Sequence, residues 1–219
     1  MTLSGKRVFI TGGAGFIGTA VCRRLAEGNE VVLYDSLWRN ALKDSNLLDH
    51  PNVRLIVGDV LDRQKLSDAV AGAQIVLHMA AIAGIDTVVR SPIHTMKVNI
   101  LGTVSLLDAL EPMMDQIERF VFFSTSEVFG SYAYKRKESE TTNLQPVGEG
   151  RWTYSVSKLA AEHLVHSYYR EHNLPTISVR PFNVYGPGQV GEGAVHVFID
   201  RALRDQPLRI HGDGDQIRS

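Results

Sequence analysis

A run of glycines behind a short apolar segment constrains this chain more than any other feature. Arg7-Val8-Phe9-Ile10 leads directly into Thr11-Gly12-Gly13-Ala14-Gly15-Phe16-Ile17-Gly18, and an apolar-periodic stretch follows. A strand, a glycine turn and a helix in that order form the phosphate site of a dinucleotide-binding unit. One glycine lets the chain turn tightly, since without a Cβ it reaches positive φ. Another lets the backbone approach a pyrophosphate, and the last lets the helix pack on the strand. The helix start, at Phe16 and Ile17, then offers free N–H groups and a positive dipole end to the anion. The spacing fits both Gly13-x-Gly15-x-x-Gly18 and Gly12-x-x-Gly15-x-x-Gly18.

The next apolar run, Glu30–Tyr34, ends at Asp35, about 20 residues after Gly15. A carboxylate there accepts hydrogen bonds from both hydroxyls of an adenosine ribose and repels a 2′-phosphate. Asp35 therefore points to NAD rather than NADP, with Arg39 in the following loop as a counterweight.

Short β-rich runs alternate with helical patterns along the chain. Strands are expected at Arg7–Thr11, Glu30–Tyr34, Val53–Val57, Ile75–His78, Arg119–Ser124 and Thr176–Arg180. Helices are expected near Phe16–Glu27, Arg63–Val70, Ile93–Leu110 and Tyr154–His172. Continuous apolar strands such as Phe120-Val121-Phe122-Phe123 suit a parallel sheet covered on both faces. The alternation predicts an α/β fold with a doubly wound parallel sheet and ligands at the carboxyl ends of the strands. The long polar segment 130–153 reads as a functional loop.

Composition narrows the possibilities. With 23 basic and 24 acidic residues, the chain has no bias toward nucleic acid or an anionic membrane. It has one cysteine, Cys22, and so no intramolecular disulfide; no metal site is expected. The first strand follows the N-terminus too closely for a signal peptide, and no apolar stretch nears the ~20 residues of a membrane span. A cytoplasmic protein is expected.

The strand ends carry the chemistry. Asp59, next to Val60, is placed to accept from an adenine amino group. Ala80 and Ala81 leave room for cofactor, while His78 reads as a structural histidine. Asn99 has poor mid-helix propensity and so has a polar task near the active site, where it is expected among the cofactor-binding residues. Ser124-Thr125-Ser126-Glu127 would sit beside the nicotinamide. Tyr154 and Lys158 are four apart and share a helix face. A nearby ammonium favours phenolate, which predicts a depressed Tyr154 pKa and a usable general base.

Taken together, these motifs resemble the extended short-chain dehydrogenase/reductases of the NAD-dependent epimerase/dehydratase family, which modify nucleotide sugars. The glycine turn, Asp35, Asp59-Val60, His78-Met79-Ala80-Ala81, Asn99, Ser124–Gly130, Tyr154-x-x-x-Lys158 and Arg180–Pro187 carry the resemblance. It implies a Rossmann fold over 1–180, the start of a small substrate-binding region over 181–219 with a first helix at Val195–Arg204 and a strand at Leu208–His211, bound NAD and a homodimer formed through Ile93–Leu110 and Tyr154–His172. Complete members run well past residue 219, so a truncated chain is expected.

The resemblance also implies roles. Tyr154 takes the proton from a sugar C4 hydroxyl, whose carbon gives hydride to NAD. Lys158 holds the nicotinamide ribose, and Thr125 hydrogen-bonds the reacting hydroxyl. Asn183 and Arg218 contact the nucleotide-sugar substrate near its phosphates. The transient 4-keto sugar, on a UDP carrier, then leads to 4-epimerisation or 4,6-dehydration, with UDP-glucuronate decarboxylation as the alternative. Glu127 suits the later steps of the latter two outcomes. A non-catalytic dinucleotide-binding regulator is the reading from another class.

Overall fold

A computed structural model describes residues 3–131, 133–144, 146–191, 193–210 and 214. Strands form where the apolar runs predict them: β1 (Arg7–Thr11), β2 (Glu30–Asp35), β3 (Val53–Val57), β4 (Ile75–His78), β5 (Arg119–Phe123) and β6 (Thr176–Val179). They build one parallel sheet in the order β3-β2-β1-β4-β5-β6. The order reverses between β1 and β4, where Thr11 lies opposite His78 at the strands' carboxyl ends. This is the crevice where doubly wound sheets take their ligands.

Successive side chains alternate between the two sheet faces. Phe9, Val32, Tyr34, Val76, Phe120 and Phe122 meet helices α2 (Arg63–Val70), α5 (Gly102–Leu110) and α6 (Thr153–His172) on one face. Val8, Ile10, Val31, Leu33, Ile75 and Leu77 meet α1 (Phe16–Leu25) on the other. Each fully buried large side chain stabilises the fold by about 1.5–3 kcal/mol. That requirement explains why the central strands are apolar throughout.

Three elements depart from expectation. A short helix, α3 (Ile85–Arg90), precedes α4 (Pro92–Met96); Ile85, Val88 and Val89 fit helical spacing, but six residues are too few to mark a helix, and only Val88 is buried. The stretch expected as one helix over Ile93–Leu110 is broken by a π turn at Lys97–Leu101 between α4 and α5. Leu208–Ile210 is not a strand, since no neighbouring strand pairs with it among the described residues, and His211 lies outside them. Helix α7 (Ala194–Leu203) forms as its pattern predicts but buries none of its residues. Among the described residues, none after Leu174 is buried.

Candidate active site

The glycine turn divides its labour as its geometry demands. Gly12 sits at φ 70°, and a Cβ there would meet Ala80 N at 2.7 Å. At Gly18 a Cβ would meet Gly12 O at 2.5 Å, so the helix closes directly on the turn. Gly15, the N-cap of α1, makes no side-chain cap, and a Cβ on it would meet only Gly12 O at 3.2 Å. The open side of Gly15 and the uncapped N–H groups at Phe16 and Ile17 fit a pyrophosphate. A Cβ at Gly13 would meet Leu33 at 2.7 Å, so this glycine lets the turn pack on β2.

Asp35 ends β2 beside this turn. Its two carboxylate oxygens accept from Ala14 N at 3.0 Å and Leu37 N at 2.7 Å, which fixes the group in place. Burial raises its pKa, and these two backbone bonds work against the rise. The remaining lone pairs suit a ribose diol. Asp59 is exposed, with Oδ1 held by Leu61 N at 2.9 Å, while Val60 is buried against Gly102. Ala80 and Ala81 line the β4 end, half-buried, across from Gly12.

A buried polar chain links the cradle to α6. Thr103 Oγ1 donates to Asn99 O at 2.8 Å, so it can only accept from His78 Nε2, 3.0 Å away. That leaves His78 Nδ1 to accept from Thr11 Oγ1 at 2.6 Å. Burial, with the Lys158 charge adding to it, pushes the His78 pKa down to about 3, and the ring stays neutral. Asn99 lies in the π turn. Its Oδ1 accepts from Ile82 N at 2.8 Å, and its Nδ2 donates to Ile82 O at 3.2 Å and Ser157 Oγ at 2.9 Å. Ser157 Oγ in turn donates to Tyr154 O at 2.7 Å. The Asn99 side chain therefore positions the chain after β4 against α6. Thr11, Thr103 and Ser157 are members that sequence reasoning passes over; their one trace is hydroxyls in apolar surroundings.

Thr125, Glu127, Tyr154 and Lys158 come together where the end of β5 meets the start of α6. Thr125, at the N-cap of the short turn Ser126–Phe129, accepts from Glu127 N at 3.2 Å and hydrogen-bonds the Tyr154 phenol. Burial and then the Glu127 charge push the Tyr154 pKa up to about 12, with the Thr125 bond acting the other way. The expected depressed phenol is thus not what the fold provides. Lys158 is 2 % exposed, its Nζ lies 4.5 Å from the Phe122 ring centroid, and burial pushes its pKa down to about 7. Burial outweighs the mutual help that the four-residue spacing suggests. Ser124 Oγ is buried beside this cluster with no partner among the described residues. Asn183 is exposed, just beyond Phe182, whose ring stacks on Phe129 at 6.3 Å. Arg218 lies outside the described residues.

A six-stranded parallel sheet, a glycine cradle at its switch point and a Thr/Tyr/Lys cluster beside it define a dinucleotide-dependent enzyme class. The chain belongs to the NAD dependent epimerase/dehydratase family, whose model matches residues 8–219. It is 37 % identical over 215 residues to the low-salt glycan biosynthesis protein Agl12 of Haloferax volcanii, covering 96 % of this chain and 67 % of that protein. It is 35 % identical over 227 residues to a dTDP-glucose 4,6-dehydratase of Neisseria gonorrhoeae, covering 97 % and 64 %. Among solved structures it resembles a UDP-N-acetylglucosamine 4-epimerase from Methanobrevibacter ruminantium, with TM-score 0.88 and 28 % identity over 98 % of this chain and 68 % of that one. The chain thus spans about two thirds of the length of these relatives.

Proposed function

We propose that this chain carries the NAD-binding and reactive part of a nucleotide-sugar epimerase or dehydratase, acting on a UDP-sugar through a transient 4-keto intermediate. The observation that carries the reading is the meeting of Thr125, Glu127 and Tyr154 beside buried Lys158. The oxidised nicotinamide supplies the hydride acceptor. Thr125 orients the C4 hydroxyl, Tyr154 exchanges its proton, and Lys158 holds the nicotinamide ribose. Gly12, Gly15, Phe16, Ile17, Gly18, Asp35, Asp59, Val60, Ala80 and Ala81 form the NAD site, with Asn99 bracing it. Asn183 and Arg218 serve the nucleotide phosphates. Residues 1–180 then form the NAD-binding unit and 181–219 the beginning of the substrate region.

A phenol pushed up to about 12 is protonated at neutral pH, so in this form Tyr154 can return a proton, while removing one needs its phenolate. Glu127 stands close enough to act on the Tyr154 charge, which favours the outcomes that need a second base, 4,6-dehydration or uronate decarboxylation. A purely regulatory dinucleotide binder would have no use for this cluster. The exposed Ile93 and Leu101, at 72 % and 45 %, support a homodimer through the helices around Asn99 and α6. No helix of the described residues is long and apolar enough to cross a membrane. Buried, reduced Cys22 is at home in the cytoplasm, where we place the reaction.

A panel of UDP-, GDP-, dTDP- and CDP-sugars, uronates included, tests the proposal, with products resolved by mass. Unchanged mass with altered stereochemistry indicates epimerisation, loss of water dehydration, and loss of CO2 decarboxylation. Glu127→Gln is expected to stop the last two; full retention of either would remove Glu127 from the reaction. A full-length protein that binds no NAD would sink the reading.

A further inference from the structure

We infer that the ion pair between Glu162 and Arg180 is a positioning device for the proposed reaction. It holds the turn bearing Thr125 and Glu127, and the segment leading to Asn183, against the α6 face that bears Tyr154 and Lys158. The inference rests on the function proposed above.

Tyr154, Lys158 and Glu162 recur every four residues and share one face of α6. Both Glu162 oxygens are taken by a single guanidinium. Arg180 Nε reaches them at 3.1 and 3.2 Å, and Nη2 reaches Oε1 at 2.6 Å. The two side chains are only 14 % and 15 % exposed. The same guanidinium lies 4.9 Å over the ring of Phe129, the last residue of the turn that begins at Ser126. Phe129 stacks on Phe182, and Ser126 N donates to Pro181 O at 3.0 Å. Arg180 Nη1 also donates to Glu138 O at 3.3 Å. One side chain therefore touches α6, the reactive turn and the segment after it, and Pro181 next to it joins that turn to Phe182.

A buried ion pair is a poor way to gain stability, since well-packed apolar side chains often do as well. Its advantage is direction: a guanidinium fork donates to a carboxylate in one geometry, and a lysine does not reproduce it. The pair has a second consequence. Lys158 is faced by Tyr154 and Glu162 from its own helix, by neutral His78 from β4 and by the Phe122 ring from β5; Glu127, on the turn, stands at Tyr154. Of these, Glu162 is the charge that opposes the effect of burial on Lys158.

The test uses Glu162→Gln, Glu162→Asp and Arg180→Lys in the full-length protein. Glu162→Gln and Arg180→Lys are expected to lower kcat by about 10- to 100-fold, the scale of an ångström-sized misplacement, with NAD content unchanged. Glu162→Asp should recover part of that loss. The alkaline limb of the kcat profile should move to lower pH in Glu162→Gln, where Lys158 loses its support, and stay in place in Arg180→Lys. Amide exchange should quicken in peptides spanning 124–131 and 180–186 and remain unchanged in 30–35. Parental kcat and exchange in both variants would overturn the inference. So would a fall in activity that merely follows NAD loss and melting temperature. Should Glu162→Gln not fold, the charge-conserving pair carries the test. If the parent turns over no nucleotide sugar, the functional proposal fails and exchange alone decides the positioning role.

Discussion

The cradle around Gly12–Gly18 and the cluster around Tyr154 are made of different material. In the cradle the working groups are backbone N–H donors, and side chains matter mostly by being absent: a Cβ at Gly12 or Gly18 would strike the turn or the β4 end. In the cluster the working groups are side chains from two distant segments, the turn after β5 and helix α6, and backbone only carries them. The two also tolerate damage differently. Adding atoms breaks the cradle, whereas removing atoms breaks the cluster. A buried hydrogen-bond chain through Thr11, His78, Thr103, Asn99 and Ser157 keeps the two in step.

The largest expected effect lies in the cluster. Tyr154→Phe should lower kcat by about 10³-fold or more, since a positioned proton-transfer group contributes on that scale. NAD content should match the parent, because one hydroxyl is removed and the cradle is untouched; turnover within tenfold of the parent would remove Tyr154 from the chemistry. In the cradle, Gly12→Ala places a side chain at φ 70° against Ala80 N at 2.7 Å. A loss of about 1–3 kcal/mol in stability and of copurifying NAD should follow, measured by melting and by cofactor release. Parental NAD content in that variant would break the distinction between the two regions.

The smallest effect tests the link between them. His78 has an ordinary pKa of 6.5 and sits at about 3 in the fold. Between those values only the unfolded chain takes the proton, so folding stability falls as pH drops below 6.5 and stops falling near 3. At about pH 5.5 the loss should be about 1.4 kcal/mol from this group. His78→Gln should flatten that part of the stability–pH curve; an unchanged slope would mean that His78 is not the neutral bridge its hydrogen bonds describe.

Legibility in the sequence follows the same divide. The cradle is readable because glycine is the residue its backbone admits, and Asp35 is readable because a strand end fixes where its carboxylate stands. The strands are readable because the central ones are buried on both faces and so apolar, while β3 and β6 at the sheet edges show only short β-rich runs. Tyr154 and Lys158 are readable through helix spacing, but the direction of the phenol's pKa is not. It depends on burial and on Glu127, which tertiary folding brings near. Ser157 is hidden for a related reason: a serine on a helix looks alike whether it faces solvent or receives Asn99. Helix α3 escapes because it is only six residues long, too short for the spacing of Ile85, Val88 and Val89 to separate a helix from a loop. The segment expected as a strand at 208–211 shows the limit of periodicity, which gives a strand's pattern but no partner.

The wide turn at Lys97–Leu101 has a consequence for chain length. A π turn holds one residue more than an α turn does. Removing one residue there should let the helix close to ordinary pitch while buried Thr95 before it and buried Leu106 after it keep their faces. What would vanish is the slack that turns Asn99 inward to Ile82 and Ser157. At this one place the protein would survive a shortened chain as a fold and lose the brace behind its tyrosine, so the count of residues, as much as their kind, is part of the site.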